Sequence, residues 1–167
     1  MTDQTINWQP EKYGTVDPYI VVRGAEKFIT FLESAFDAEL ELKVPNPDGS
    51  IGHAEVRIGD SVLLMFDAQK EWPDTPAFLR IYVKNVDETY AKALKAGATK
   101  VTEIMDGFTG ERGGRVCDPV GNVWWIQTRF ENVSFEEMGK RSGEQKYIDA
   151  MKIAQDTFDQ EMRRRVA

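Results

Sequence analysis

Phe78-Leu79-Arg80-Ile81-Tyr82-Val83-Lys84 alternates residue by residue, the pattern of a strand with two different faces. Behind it, Val86, Tyr90, Ala93 and Leu94 recur at helical spacing, and Gly97 stops the helix. Lys100 to Met105 then reads as a strand, Gly107 and Gly110 as a turn, and Arg112 to Cys117 as a further strand. Asp118-Pro119-Val120-Gly121 turns the chain into a last strand, Val123 to Thr128. The order is βαβββ.

The same order stands earlier in the chain. Tyr19-Ile20-Val21-Val22 is a short buried strand. Ala25, Phe28, Ile29, Leu32 and Phe36 form one helical stripe. Glu39 to Val44 alternates, Pro45 to Gly49 turns, Ile51 to Ile58 alternates again, and Val62 to Phe66 follows the Gly59-Asp60 turn. Val22 and Val83 are 61 positions apart, as are Val62 and Val123. A constant offset at both ends of the repeat points to duplication.

The expected architecture is therefore α+β: two βαβββ modules forming curved mixed sheets with helices outside, plus a C-terminal helical extension. Residues 1–16 form a loose lead-in, 17–70 the first module, 71–130 the second, and 131–167 the extension. Ser134 is placed to cap a helix, with Glu137 as its capping-box partner. From Glu144 to Val166 a longer helix carries Tyr147, Met151, Ala154, Phe158 and Met162 as a narrow stripe. That stripe packs on its own domain, over a pocket mouth, or on a second subunit.

A net charge of −7 argues against a nucleic-acid partner, which needs a basic face. Arg163, Arg164 and Arg165 are read as favourable charges at a helix C-terminus. One cysteine, Cys117, allows no intramolecular disulfide and reads as a small buried residue. No basic and apolar leader precedes the first strand, and no apolar run approaches the roughly 18 residues of a membrane span. A cytoplasmic location away from membranes is expected. The Gly110 to Gly114 stretch lacks the ending of a phosphate loop, and no Gly-x-Ser-x-Gly elbow is present.

Pro18 to Ala25, with Phe31 and Ala35-Phe36 behind it, resembles the opening of glyoxalase/bleomycin-resistance proteins, the vicinal oxygen chelate superfamily. So do His53-Ala54-Glu55, Ile58-Gly59-Asp60-Ser61 and Asp118 to Ile126. Glu131 to Ser134 with Glu136-Glu137-Met138 resembles one bacterial branch. The resemblance implies a cavity on the inner side of the sheets and, for many members, a dimer, so a homodimer is expected. It also implies a divalent metal held from four strand positions, which fall here near Asp17, Leu64, Phe78 and Trp125. Leucine, phenylalanine and tryptophan cannot ligate, so no metal and no cofactor are expected.

Alternation sets the expected cavity lining. Ile51, His53, Glu55 and Arg57 share one face of their strand, and Ala54, Val56 and Ile58 the other. Phe78, Arg80 and Tyr82 face inward, as do Tyr19, Trp125 and Gln127. The candidate ligand-binding set is therefore Tyr19, His53, Arg57, Phe78, Arg80, Tyr82, Trp125 and Gln127. Aromatic faces for stacking and arginines for an anionic group suit a planar or anionic small molecule. His53 and Glu55 are candidates for a base and its orienting carboxylate, although Glu55 and Arg57 fit a plain ion-pair network equally. Two functions stay open: metal-independent binding of an aromatic or anionic molecule, or a lyase, isomerase or dioxygenase using His53/Glu55 or an unrecognised metal.

Overall fold

The computed structural model describes residues 6–166; the first five residues of the lead-in and Ala167 lie outside the described residues. The first module runs β1 (Tyr19–Val22), α1 (Ala25–Phe36), β2 (Glu39–Pro45), β3 (Ile51–Ile58) and β4 (Ser61–Asp67). The second runs β5 (Phe78–Tyr82), α2 (Val86–Lys95), β6 (Thr99–Asp106), β7 (Glu111–Cys117) and β8 (Val123–Arg129). Two helices follow, α3 (Phe135–Arg141) and α4 (Gln145–Arg164). Each module is a four-stranded mixed sheet, ordered β1-β4-β3-β2 and β5-β8-β7-β6. The first and last strands of each module pair in parallel, and the remaining pairs are antiparallel.

The apolar stripes meet where alternation places them. Phe28, Ile29, Leu32 and Ala35 of α1 are buried with Ile20, Val22, Ala54, Val56 and Met65 of the first sheet. Val86, Tyr90 and Ala93 of α2 are buried with Val116, Trp124 and Ile126 of the second. One core joins both modules, because α1 packs on α2 and the Trp124 indole lies 4.7 Å from the Phe36 ring.

Helix starts are capped by different means in the two modules. Gly24 precedes α1 at φ 95°, a left-handed conformation that suits glycine. Having no side chain, it leaves the capping to Asp67 at the end of β4. Asp67 Oδ1 accepts from Gly24 N and Ala25 N, and its Oδ2 from Ile51 N, at 2.7–2.9 Å. Asn85, 61 positions after Gly24, caps α2 with its own side chain on Glu88 N. The strand expected through Lys84 therefore ends at Tyr82, although Val83 N still donates to Gln127 O.

Two expectations need correction. Ser134 does accept from Glu137 N at 3.1 Å, but the Glu137 carboxylate accepts from Arg141 instead of closing a capping box. The lead-in is not loose where it meets the first sheet: Lys12 and Tyr13 both bond Glu55, and Arg57 reaches Lys12 O.

The Asp118 turn is held from within. Its buried carboxylate accepts from Val120 N, Asn122 N, Asn122 Nδ2 and Trp124 Nε1 at 2.9–3.0 Å. Asn122 Oδ1 in turn accepts from Ala77 N, fixing the entry to β5. Among the described residues no helix is long and apolar enough to cross a membrane.

Candidate functional site

Strand register decides which side chains share the face of the second sheet turned away from α2. Arg80 and Arg115 lie opposite Trp125, and Tyr82 and Gly113 lie opposite Gln127. Directly opposed residues project to the same side. Glu111 joins them two residues before Gly113 on β7. A β-carbon at Gly113 would sit 2.7 Å from Gln127 Cγ and 3.2 Å from Trp125 Nε1. Glycine there leaves the space those two side chains occupy.

Helix α4 lies across this face. Phe158 packs on Phe78 with ring centroids 5.0 Å apart. The Thr157 and Thr102 hydroxyls meet at 2.7 Å, and Arg115 Nη1 donates to Ala154 O at 2.7 Å. At the helix end, Arg165 donates to Gly121 O at 2.9 Å and to the buried Cys117 Sγ. Between helix and sheet is a cavity of about 550 Å³, a size suited to a small organic ligand. The apolar stripe of α4 thus packs on its own domain and roofs a pocket, with Tyr147, Met151, Ala154 and Phe158 lining it.

Arg115 is the unusual group in this cavity. It is only 9% exposed, and among the described residues no carboxylate pairs with it. Its guanidinium stacks on the Trp125 ring at 4.4 Å and faces Phe158 at 5.3 Å. Nη1 is used, but buried Nε has no acceptor, and Nη2 makes no hydrogen bond among the described residues. Burial pushes its pKa down from the usual guanidinium value. A second buried atom in the same cavity is unpartnered: Oε1 of Gln127, a residue 4% exposed. The amide's other end donates weakly to Glu111 Oε2 at 3.5 Å. Glu111 also accepts from Tyr82 at 2.6 Å, from Thr109 at 3.2 Å, and from Arg80.

The open face of the first sheet carries the pseudo-equivalent positions with opposite charge. Tyr19 and Glu55 lie opposite Leu64 as Arg80 and Arg115 lie opposite Trp125. Glu55 is 3% exposed and, unlike Arg115, fully engaged. It pairs with Lys12, accepts from Tyr13 at 2.8 Å, and meets His53 Nε2 at 3.1 Å. An ionised carboxylate can only accept, so in neutral His53 Nε2 carries the proton and Nδ1 accepts from Tyr19 at 3.1 Å.

Burial alone would push the Glu55 carboxyl up; bonds from Lys12, His53 and Tyr13 outweigh it and hold it down at about 2. Its ordinary value is about 4.5, so its contribution is complete above that pH and is lost as pH falls toward 2. Glu55→Gln is expected to destabilise the protein by about 1–3 kcal/mol near neutrality. Urea unfolding from pH 7 to pH 2.5 checks this, with the gap between variant and wild type closing at the acid end.

The eight residues proposed from alternation therefore fall into two groups. Arg80, Trp125 and Gln127 line the α4-roofed cavity, with Tyr82 bonded to Glu111 beside them and Phe78 under Phe158. Tyr19, His53 and Arg57 stand on the other sheet, where Arg57 is tied to Glu41. The single shared lining is thus corrected to two faces within one chain. Glu111, Arg115 and the α4 residues complete the second face, and Phe66 and Trp72 extend the aromatic surface beside Tyr19.

Residues 14–126 match the family described as Glyoxalase/Bleomycin resistance protein/Dioxygenase superfamily. The chain belongs to this superfamily. Uncharacterized protein Rv0887c of Mycobacterium tuberculosis (strain ATCC 25618 / H37Rv) is 35% identical over 144 residues, covering 80% of this chain and 82% of that one. Uncharacterized protein Mb0911c of Mycobacterium bovis is also 35% identical, covering 92% of its own length. Among solved structures, TioX from Micromonospora sp. ML1 gives a TM-score of 0.58 at 20% identity over 72% of this chain and all of that one. The fosfomycin resistance protein FosX from Listeria monocytogenes gives 0.56 at 15% identity, over 75% of this chain and 97% of that one. These likenesses establish the fold. Helices α3 and α4 lie beyond the residues of the superfamily match.

The metal positions implied for the superfamily do not fit a cation here. Leu64 and Phe78 offer no donor, the Trp125 ring lies against Arg115 and Arg80, and Asp17 Oδ1 accepts from Gly14 N. Among the described residues no group of three His, Cys, Asp or Glu side chains converges elsewhere.

Proposed function

We propose that this superfamily member binds a small planar anion, of the carboxylate class, in the cavity between the second sheet and α4, without recourse to a metal. One observation carries the reading: a buried guanidinium whose Nε has no partner, set between two aromatic rings. An unpaired buried donor costs roughly 1–3 kcal/mol, and more when charged. A ligand carboxylate on the Nε–Nη2 edge relieves that cost with charge-assisted hydrogen bonds. The first module supports the assignment: at the equivalent position, Glu55 has its counter-ion supplied by Lys12 of the chain itself. At Arg115 the described residues supply none, and a ligand carboxylate takes that place.

Titration calorimetry with 2-naphthoate and its neutral amide, 2-naphthamide, tests the proposal. Preference for the acid by about tenfold or more is expected; equal affinity, or no binding of either, overturns it.

A second reading rests on the Tyr19–His53–Glu55 chain. Glu55 orients the imidazole, and His53 Nδ1 is placed to take the proton of the half-exposed Tyr19 hydroxyl. In this reading the protein is an enzyme of the same fold, a lyase, isomerase or dioxygenase, with acid–base chemistry on the first sheet. The homodimer would place its second copy on that same face, where Leu42 and Val44 are 41% and 46% exposed beside Glu55 and His53; light scattering reports the mass.

A further inference from the structure

The geometry points to a narrower ligand class: an aromatic acid that carries a hydroxyl or N–H donor on the side of the ring opposite its carboxylate. This rests on the carboxylate reading above and adds to it the other end of the same cavity.

Gln127 Oε1 is buried and has no donor among the described residues. Rotating the amide does not cure this, because the exchanged oxygen would then face the Glu111 carboxylate, which now receives Nε2. A ligand donor placed there satisfies Oε1. Glu111, beside it, is an acceptor already occupied by Tyr82, Thr109 and Arg80, so that end of the cavity is rich in acceptors. The opposite end is a cation. Arg115 lies opposite Trp125, and Gln127 lies two residues further along β8. Such diagonal neighbours have their backbones about 7–8 Å apart on one face, so both side chains are within reach of one aryl ligand with polar substituents at its two ends. Tyr147 and Phe158 of α4, which line the same cavity, supply aromatic surface for the aryl group.

A ligand lacking the donor would leave Oε1 buried and unpaired, and one with an acceptor there would bring two lone pairs together. One buried hydrogen bond gained or missed there is enough to rank the analogues by about tenfold.

Calorimetry on the full chain with three probes tests this: 6-hydroxy-2-naphthoate, 2-naphthoate and 6-methoxy-2-naphthoate. The hydroxy acid is expected to bind about tenfold more tightly than 2-naphthoate, and the methoxy acid more weakly than either. Gln127→Met, which keeps the side-chain length without the acceptor, is expected to abolish the hydroxyl's advantage, so that 6-hydroxy-2-naphthoate and 2-naphthoate bind the variant with equal affinity. Because the three-probe ranking on the wild type needs no variant, it decides the inference even if Gln127→Met folds poorly. Equal affinities for all three acids, each preferred over 2-naphthamide, overturn the donor inference and leave the carboxylate reading standing. Absence of any preference for acid over amide overturns both.

Discussion

Arg115→Met is expected to yield a protein that is more stable than the wild type and that no longer distinguishes carboxylates from amides. The two effects have one cause. Burying a charge with no counter-ion costs several kcal/mol in desolvation, and stacking on Trp125 and Phe158 recovers only part. Methionine fills similar space between the rings without that cost. The Ala154 carbonyl loses the Arg115 Nη1 bond but sits inside α4, where the helix ladder supplies another donor. A gain of about 1–2 kcal/mol is expected, or roughly 2–8 °C in Tm for a chain of this size. Binding of 2-naphthoate should weaken by at least about thirtyfold, the equivalent of about 2 kcal/mol for a desolvated charge pair. Thermal unfolding and calorimetry on the same preparation read both. A residue kept only for packing would give the opposite sign on stability.

Asp118→Ala is expected to be the most damaging single substitution outside the helix-packed core. It removes the acceptor for four donors at once, three of them on the fully buried Asn122 and Trp124. Asn122 also holds Ala77 N at the entry to β5, so the loss spreads to the first strand of the module. Several unpaired buried donors at about 1–3 kcal/mol each, softened by relaxation and water entry, give about 3–5 kcal/mol. That corresponds to a fall of roughly 6–20 °C in Tm. Asp118→Asn keeps one acceptor oxygen and is expected to lose less. Differential scanning calorimetry of both variants checks the order.

The duplicated fold was readable because alternation, helical stripes and turn glycines repeat at one offset, and these local signals agree with the packing found. Alternation on β5 and β8 showed which residues share a face with Arg80, Trp125 and Gln127, and the metal positions implied by the resemblance set which face points inward. Arg115 and Glu111 escaped because Gly113-Gly114 interrupts the apolar rhythm of β7, leaving nothing in the sequence to set its parity. Applying β8 register across the hairpin would have found them. The stripe on α4 announced a buried face without naming its partner, since a helix's apolar period says nothing about which sheet it meets. The union of Lys12 and Tyr13 with Glu55 spans more than forty residues and has no local signal at all. For the same reason a set of eight residues expected on one wall proved to occupy two.

Nitrogen-15 spectra of the arginine Nε–H groups, recorded while 2-naphthoate is added, give the most direct test of the unpaired guanidinium. The Arg115 signal, assigned by its loss in Arg115→Met, should move by more than any other arginine signal and saturate with the calorimetric affinity. An Arg115 signal that stays fixed while 2-naphthoate binds elsewhere on the chain contradicts the account.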